Sequence, residues 1–161
     1  MTEESGNRPF ITVETLFLEN EKRLKLELLS GKEGFSKKIT EKDLHRPGLA
    51  LAGFVDIFTY SRIQVCGNTE IRYLRNLSPQ QREKSLRKVL SFDIPCFIVT
   101  ENNELPPEFL SLVAEHKVSV FRTPFATTKL IQLLGEYLDE KFAPRTIIHG
   151  SMVDVYGIGV L

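Results

Sequence analysis

Residues 78–99 read Ser-Pro-Gln-Gln-Arg-Glu-Lys-Ser-Leu-Arg-Lys-Val-Leu-Ser-Phe-Asp-Ile-Pro-Cys-Phe-Ile-Val, and they join a helix signal directly to a strand signal. Ser78 is placed to cap the helix and Gln81 to reach back to that cap, as in a capping box. Pro95 bars the helix from continuing, and the apolar run Cys96–Val99 is short enough to be a strand buried on both faces. The region therefore predicts a helix that leads into a fully covered strand.

The same alternation of helix and strand patterns extends over the flanking sequence. In chain order, the other predicted elements are a helix at Thr12–Arg23 capped by Thr12, a strand at Leu24–Leu29, a helix restarting at Leu49, a strand at Arg62–Cys66, a helix from Pro106 to His116, a strand at Val118–Phe121 and a helix from about Thr127 to Phe142. Strands that alternate with helices imply βαβ crossovers. The predicted fold class is therefore α/β, with a mainly parallel sheet flanked by helices.

Two of these elements carry specific predictions about burial. The helix at Leu49 is expected to bury one apolar face, made by Leu49, Leu51, Phe54, Ile57 and Phe58. The strand that ends at Gly67-Asn68 is expected to point Ile63 and Val65 inward, because it alternates apolar and polar residues.

The charge balance argues against nucleic acid and membrane partners. Twenty-one basic side chains offset twenty-one acidic ones, so the chain has no global field to attract an anionic surface. The apolar runs are far shorter than the roughly twenty residues that cross a bilayer, and the N-terminus lacks a secretory pattern. We therefore expect a cytoplasmic protein whose two cysteines, Cys66 and Cys96, are buried reduced thiols.

The sequence changes character after Pro144. Thr146–Leu161 predicts two strands joined at Gly157-Ile-Gly159, a hairpin that has no partner to cover it. The predicted domains are consequently residues 1–143, an α/β accessory domain, and residues 144–161, the incomplete start of a second one.

Four sequence blocks in order resemble the bacterial HPr kinase/phosphorylase family. They are Asp43-Leu-His-Arg-Pro-Gly-Leu with Ala52-Gly53, Arg62-Ile-Gln-x-x-Gly-x-x-Glu70, Ala126-Thr-Thr-x-Leu130, and His149-Gly-x-x-Val-Asp-Val-Tyr-Gly-x-Gly-Val-Leu161. The last block is the most specific. In the family the following residues would enter a Walker A phosphate loop, Gly-x-Ser-Gly-x-Gly-Lys-Ser, which this sequence does not contain.

The resemblance implies an activity, a fold and partners. Intact family members phosphorylate a serine of the phosphocarrier HPr with ATP or pyrophosphate and Mg²⁺, and they remove that phosphate by phosphorolysis, in carbon-catabolite regulation. The resemblance also implies a muramyl-ligase-like N-terminal fold, a C-terminal β-hairpin belonging to a P-loop kinase domain, and a homo-oligomer that is a hexamer in the intact family. We expect this chain to be inactive by itself and to hold no cofactor, because the phosphate loop is missing.

One family active-site residue falls within the chain. The family histidine near the phosphate corresponds to His149, and an imidazole there can hydrogen-bond to phosphate near neutral pH. The alternative for His149 is a polar cap at the start of a strand. Asp154 favours a strand position over catalysis, and Gly157-Ile-Gly159 favours a tight turn over a phosphate site, because the third glycine of a dinucleotide fingerprint is missing.

Other polar residues have weaker functional interpretations. His45 and Arg46 indicate either an anion or interface contact or a solvated turn, and His116 suits the end of a helix dipole. The basic run favours a solvated helix face over RNA binding, and it consists of Arg72, Arg75, Arg82, Lys84, Arg87 and Lys88.

Three roles stay open for the chain at this point. It is the accessory domain of a serine kinase/phosphorylase, a sensor module for a small anionic metabolite, or a purely structural oligomerisation domain.

Overall fold

The computed structural model describes residues 8–144, which build helices on both faces of a five-stranded sheet. The strands are β1 (Ile11–Thr12), β2 (Glu27–Ser30), β3 (Lys38–Ile39), β4 (Leu44–His45), β5 (Ile63–Cys66), β6 (Cys96–Val99) and β7 (Ser119–Arg122). The helices are α1 (Val13–Asn20), α2 (Gly48–Leu51), α3 (Asn68–Asn76), α4 (Pro79–Leu90), α5 (Pro107–Glu115) and α6 (Thr127–Lys141), with a 3₁₀ turn at Lys32–Ser36. The predicted C-terminal hairpin and the start of a second domain lie outside the described residues.

The main sheet has the order β2-β7-β6-β5-β4, and four of its strands are parallel. Strands β4 to β7 are neighbours in chain order, and each connection between them contains a helix, as parallel pairing requires. Strand β2 is the exception, because it pairs antiparallel with β7 and places Glu27 opposite Arg122. The predicted α/β fold with a mainly parallel sheet is confirmed. Strands β1 and β3 form a separate antiparallel ribbon.

Each face of the sheet has its own apolar core. Helices α2, α3, α4 and α5 share one core, and α1 and α6 share the other. Side chains of β6 alternate between the two, since Phe97 and Val99 enter the first core whereas Cys96 and Ile98 enter the second. This double burial is why residues 96–99 form an unbroken apolar run, and the fully covered strand predicted there is confirmed.

Two helix caps follow the sequence. The Ser78 hydroxyl accepts the Gln81 amide at 3.2 Å while the Gln81 side-chain oxygen accepts the Ser78 amide at 3.0 Å, which is the predicted capping box. The Thr12 hydroxyl accepts the Thr15 amide at 3.1 Å and starts α1, also as predicted. The last two predicted helices are present as α5 and α6.

The helix predicted to restart at Leu49 is only one turn long. Helix α2 ends at Leu51, and Gly53 follows in the left-handed region with φ of 104°. The apolar face expected for a longer helix is therefore wrong at three positions, because Leu49, Phe54 and Ile57 are exposed.

The first predicted strand starts later than expected. Lys25 has a φ of 50° and the Leu26 amide donates to the Glu21 carbonyl, so the chain is still turning there and the ladder begins at Glu27. Leu24 and Leu26 are nevertheless buried, which produces the alternating pattern without a strand.

Helix α3 was not predicted, and strand β5 is more buried than predicted. Gly67 has no side chain to cap α3, so the usual sequence signal of a helix start is missing. All four residues of β5 are buried, including the polar Gln64, because helices cover both of its faces. The prediction that Ile63 and Val65 point inward is confirmed, since both enter the core of α1 and α6, and the burial of Gln64 is the feature that was not predicted.

Candidate functional site

Polar side chains gather where the parallel strands end. Parallel α/β sheets bind ligands at the carboxyl ends of their strands, so this edge is the first place to look for a site. The residues at this edge come from four separate parts of the chain, and they form the carboxyl-edge cluster: Arg46, Gly67, Glu70, Thr100 and Thr127.

A buried carboxylate organises the cluster. Glu70 is 3% exposed, and its Oε2 accepts the Gly67 amide and the Arg46 guanidinium, each at 2.8 Å. Glu70 can do this because it is the third residue of α3 and reaches back to the helix cap. The ion pair compensates the cost of burying the carboxylate. In return, it neutralises the guanidinium of Arg46, whose side chain is 44% exposed.

The rest of the cluster is tightly packed. The hydroxyls of Thr100 and Thr127 lie 2.6 Å apart, which joins the end of β6 to the start of α6. A Cβ at Gly67 would lie 2.5 Å from the Thr127 hydroxyl and 2.9 Å from the Arg46 guanidinium, so only glycine fits there without movement. The cluster therefore fastens strands and helices together and leaves little room for a ligand at Gly67.

The anion or interface contact predicted for His45 and Arg46 stays a prediction, but the solvated turn does not hold. His45 lies in β4, and its ring packs on Phe58 with centroids 5.6 Å apart. Burial lowers the pKa of His45, and the nearby charge of Arg62 lowers it further, so the imidazole is neutral at physiological pH. The guanidinium of Arg46 forms an ion pair with the Glu70 carboxylate. The solvated turn is thus corrected to an edge strand with an internal ion pair.

His45 and Arg46 also line a groove between β4 and α6. The groove holds about 250 Å³ and is bordered by Lys42 and Asp139, whose charged atoms are 3.7 Å apart. Its charges of both signs nearly balance, so it has no clear preference for an anion.

The two cysteines are buried thiols, as predicted. Cys66 faces the core of α2 to α5 and Cys96 faces the core of α1 and α6, so the sheet separates them. Burial raises the pKa of Cys66, and it raises the pKa of Cys96 to about 12. Neither thiol supplies a thiolate nucleophile near neutral pH.

Several members of the basic run are occupied by contacts within the chain. Arg82 pairs with Glu108 at 2.8 Å and Arg87 pairs with Glu83 at 3.0 Å, while the Lys88 ammonium donates to the Gly53 carbonyl at 2.9 Å. The interaction with Arg82 lowers the pKa of the Glu108 carboxyl. Arg87 is about half exposed, as the predicted solvated face requires, whereas the Arg82 side chain is only 13% exposed and serves an internal contact.

His116 ends α5 as expected. Its Nδ1 donates to the Leu112 carbonyl at 2.9 Å, and because that carbonyl also accepts the His116 amide, the ring adds a second hydrogen bond at the end of the helix.

Among residues 8–144, no three His, Cys, Asp or Glu side chains gather closely enough to hold a metal ion. The sequence also contains no Gly-x-x-x-x-Gly-Lys-Ser/Thr loop to cradle phosphates. The other site predictions concern His149, Asp154, Gly157 and Gly159, which lie outside the described residues.

Within residues 8–144, no helix is long and apolar enough to span a bilayer.

Sequence reasoning alone did not identify most of the carboxyl-edge cluster. Glu70 and Thr127 appeared only as letters of family-like blocks, and Thr100 carried no signal. The Gly67-x-x-Glu70 spacing was the available clue, because an acidic residue three positions after a cap suits a capping box even when the cap is glycine.

Comparison with known families gives a match over most of the chain. The family described as HPr Serine kinase N terminus matches residues 11–138. The chain is 46% identical over 138 residues to the HPr kinase/phosphorylase of Prosthecochloris aestuarii, covering 86% of the chain and 41% of that relative. It is 44% identical over 153 residues to the HPr kinase/phosphorylase of Chlorobaculum tepidum, covering 94% of the chain and 45% of that relative. The chain therefore spans less than half the length of these curated relatives.

A solved structure shares the fold. The CBS and DRTGG domains of the regulatory region of Clostridium perfringens pyrophosphatase, complexed with the activator diadenosine tetraphosphate, match with a TM-score of 0.56. The match covers 91% of this chain and 60% of that one, at 12% sequence identity. At that identity the likeness concerns architecture alone.

Proposed function

Since the chain belongs to the family of HPr serine kinase N-terminal domains, we propose that it is the accessory domain of an HPr kinase/phosphorylase. The intact enzyme uses ATP or pyrophosphate with Mg²⁺ to phosphorylate a serine of HPr, and it removes that phosphate by phosphorolysis. The domain described here contributes assembly or regulation to that enzyme. The muramyl-ligase likeness and the hexamer implied by the family remain predictions.

The observation that supports this proposal is the extended sequence identity. Identities of 44–46% over 138 to 153 residues involve relatives that all carry the name HPr kinase/phosphorylase. Phosphoryl transfer needs phosphate-binding amides, a lysine, a metal-binding hydroxyl and a carboxylate for the serine proton. We assign those parts to the portion of the intact enzyme that this chain does not span. His149 is proposed to join them beside the phosphate.

A phosphoserine assay tests the division of labour. We expect no phosphoserine when the 161-residue chain is incubated with ATP, Mg²⁺ and HPr. Without the phosphate cradle, the groups that stabilise the transition state are missing, and we expect the activation free energy to rise by on the order of several kcal/mol or more. The matched controls are the intact Chlorobaculum tepidum relative and a chimera of it in which this chain replaces the relative's own N-terminal region. The replacement is expected to retain phosphorylation of HPr. Turnover by the chain alone, or an inactive replacement that is folded, would contradict the proposal.

A small-anion sensor is the alternative role, and the carboxyl-edge cluster argues against it. Arg46 is the cation at that edge, and Glu70 already neutralises it. Titration calorimetry with phosphate, pyrophosphate, ATP and sugar phosphates is expected to give no micromolar binding. Micromolar binding that is lost in Arg46→Ala would establish the sensor instead.

A further inference from the structure

One groove in the surface is both apolar and positively charged. It holds about 360 Å³ and lies between the chain at 51–53 and the helices α3 and α4. Leu51, Tyr73 and Leu77 provide apolar lining, while Lys84 and Lys88 are on its rim. Lys84 makes no ion pair with any residue in 8–144. This α3–α4 groove therefore suits an apolar side chain that has a carboxylate beside it.

A protruding apolar loop runs beside the groove. The Lys88 ammonium bonds to the Gly53 carbonyl, and Phe58 packs on Phe92 with centroids 5.2 Å apart. These two contacts hold the segment between Gly53 and Phe58 along the C-terminal half of α4. Within that segment, named here the 53–58 loop, Phe54 is 47% exposed and Ile57 is 71% exposed.

The loop carries the charge that the groove lacks. Asp56 lies between the two exposed apolar residues, is itself exposed, and has no cationic partner within 4.0 Å among residues 8–144. The loop and the groove are thus complementary in polarity and in charge, yet they lie side by side on one surface. A patch that contains both halves of a contact is self-complementary, which is the requirement of a two-fold interface between identical chains.

The exposed apolar side chains concentrate at this patch. Seven large hydrophobic residues are exposed in the described part of the chain, and three of them belong to the loop and the groove: Phe54, Ile57 and Tyr73. Clusters of exposed apolar residues with a polar rim are typical of interaction sites.

We propose that two copies of this chain associate through a two-fold contact in which the 53–58 loop of each copy occupies the α3–α4 groove of the other. Phe54 and Ile57 supply the apolar contact, and Asp56 of one copy faces Lys84 of its partner, twice per dimer. This inference deepens the assembly role proposed above. It makes no use of HPr chemistry, so the phosphoserine assay and the association test can fail separately.

Sedimentation equilibrium of the 161-residue chain tests the contact. We expect a concentration-dependent dimer that Ile57→Asp converts to monomer without changing the circular dichroism, because the side chain is exposed. The control is Leu18→Asp, since Leu18 is 63% exposed on α1, which packs on the opposite face of the sheet. That control is expected to remain dimeric.

Charge reversal identifies the pairing. Asp56→Lys and Lys84→Glu are each expected to weaken the dimer about tenfold or more, because each places like charges together at two points. An equimolar mixture of these two variants is expected to restore dimers, since each mixed dimer contains two opposite-charge pairs again. A monomer at every concentration, a dimer lost in Leu18→Asp but kept in Ile57→Asp, or a mixture that stays dissociated would overturn the proposal.

Discussion

The buried thiol of Cys96 makes stability sensitive to alkaline pH. Burial raises its pKa from 9.0 to about 12 in the folded chain. Between these two values the unfolded chain loses the proton while the folded chain keeps it. The contribution of the Cys96 thiol to the free energy of unfolding is therefore complete below pH 9, and it is lost as the pH rises toward 12.

Urea unfolding at a series of pH values checks this expectation. Above pH 9 the free energy of unfolding is expected to fall by about 1.4 kcal/mol per pH unit for this thiol alone. Cys96→Ala removes that slope while leaving the other alkaline groups in place, so the two pH profiles are expected to diverge above pH 9. Parallel profiles would show that Cys96 ionises equally in both states.

Two glycines provide a matched test of local packing. Gly67→Ala is expected to destabilise the chain by about 1–3 kcal/mol, because its Cβ would meet Thr127 at 2.5 Å inside the carboxyl-edge cluster. Gly135→Ala is expected to stabilise it by about 0.5–1 kcal/mol, because that glycine lies within α6 and its Cβ would enter open space. Thermal and urea unfolding measure both. Equal effects of the two substitutions would contradict the packing described for Gly67.

At the level of single helices, the capping box of α4 supports a direct prediction. Ser78→Ala is expected to lower the free energy of unfolding by about 1 kcal/mol, because the Gln81 amide loses its acceptor. Ser78→Asp retains an acceptor and is expected to unfold at nearly the same urea concentration as the original chain. If Ser78→Asp were as unstable as Ser78→Ala, the loss would not come from the cap.

The elements that were predicted correctly carry their signals in their own side chains. Ser78 and Gln81 mark the start of α4, and the apolar residues of 96–99 reveal a strand that is covered on both faces. Two of the failures involve glycine. Gly53 follows α2 after one turn in a left-handed conformation, and Gly67 starts α3 without a capping side chain of its own, so only the Glu70 carboxylate three residues later marks that second boundary.

The assembled domain determines what local patterns cannot. Arg46, Gly67, Thr100 and Thr127 are far apart in the sequence, and only the folded sheet brings the ends of β4, β5 and β6 together with the start of α6. The α/β class follows from alternating elements, but the partners within the carboxyl-edge cluster depend on strand order. The sequence also did not predict that Leu49, Phe54 and Ile57 are exposed. The apolar residues across 49–58 fit the period of one longer helix as well as they fit a single helical turn followed by a loop.

The antiparallel edge strand has a consequence for the order of events during synthesis. Glu27 in β2 must find Arg122 in β7, a residue 95 positions later, before that side of the sheet is closed. A ribosome adds roughly 5–20 residues per second, so the first long strand of the nascent chain waits about 5–20 s for its neighbour to be made. Until then β2 has no partner strand. The speed of translation through the following ninety or so codons therefore sets how long chaperones can bind this unpaired segment.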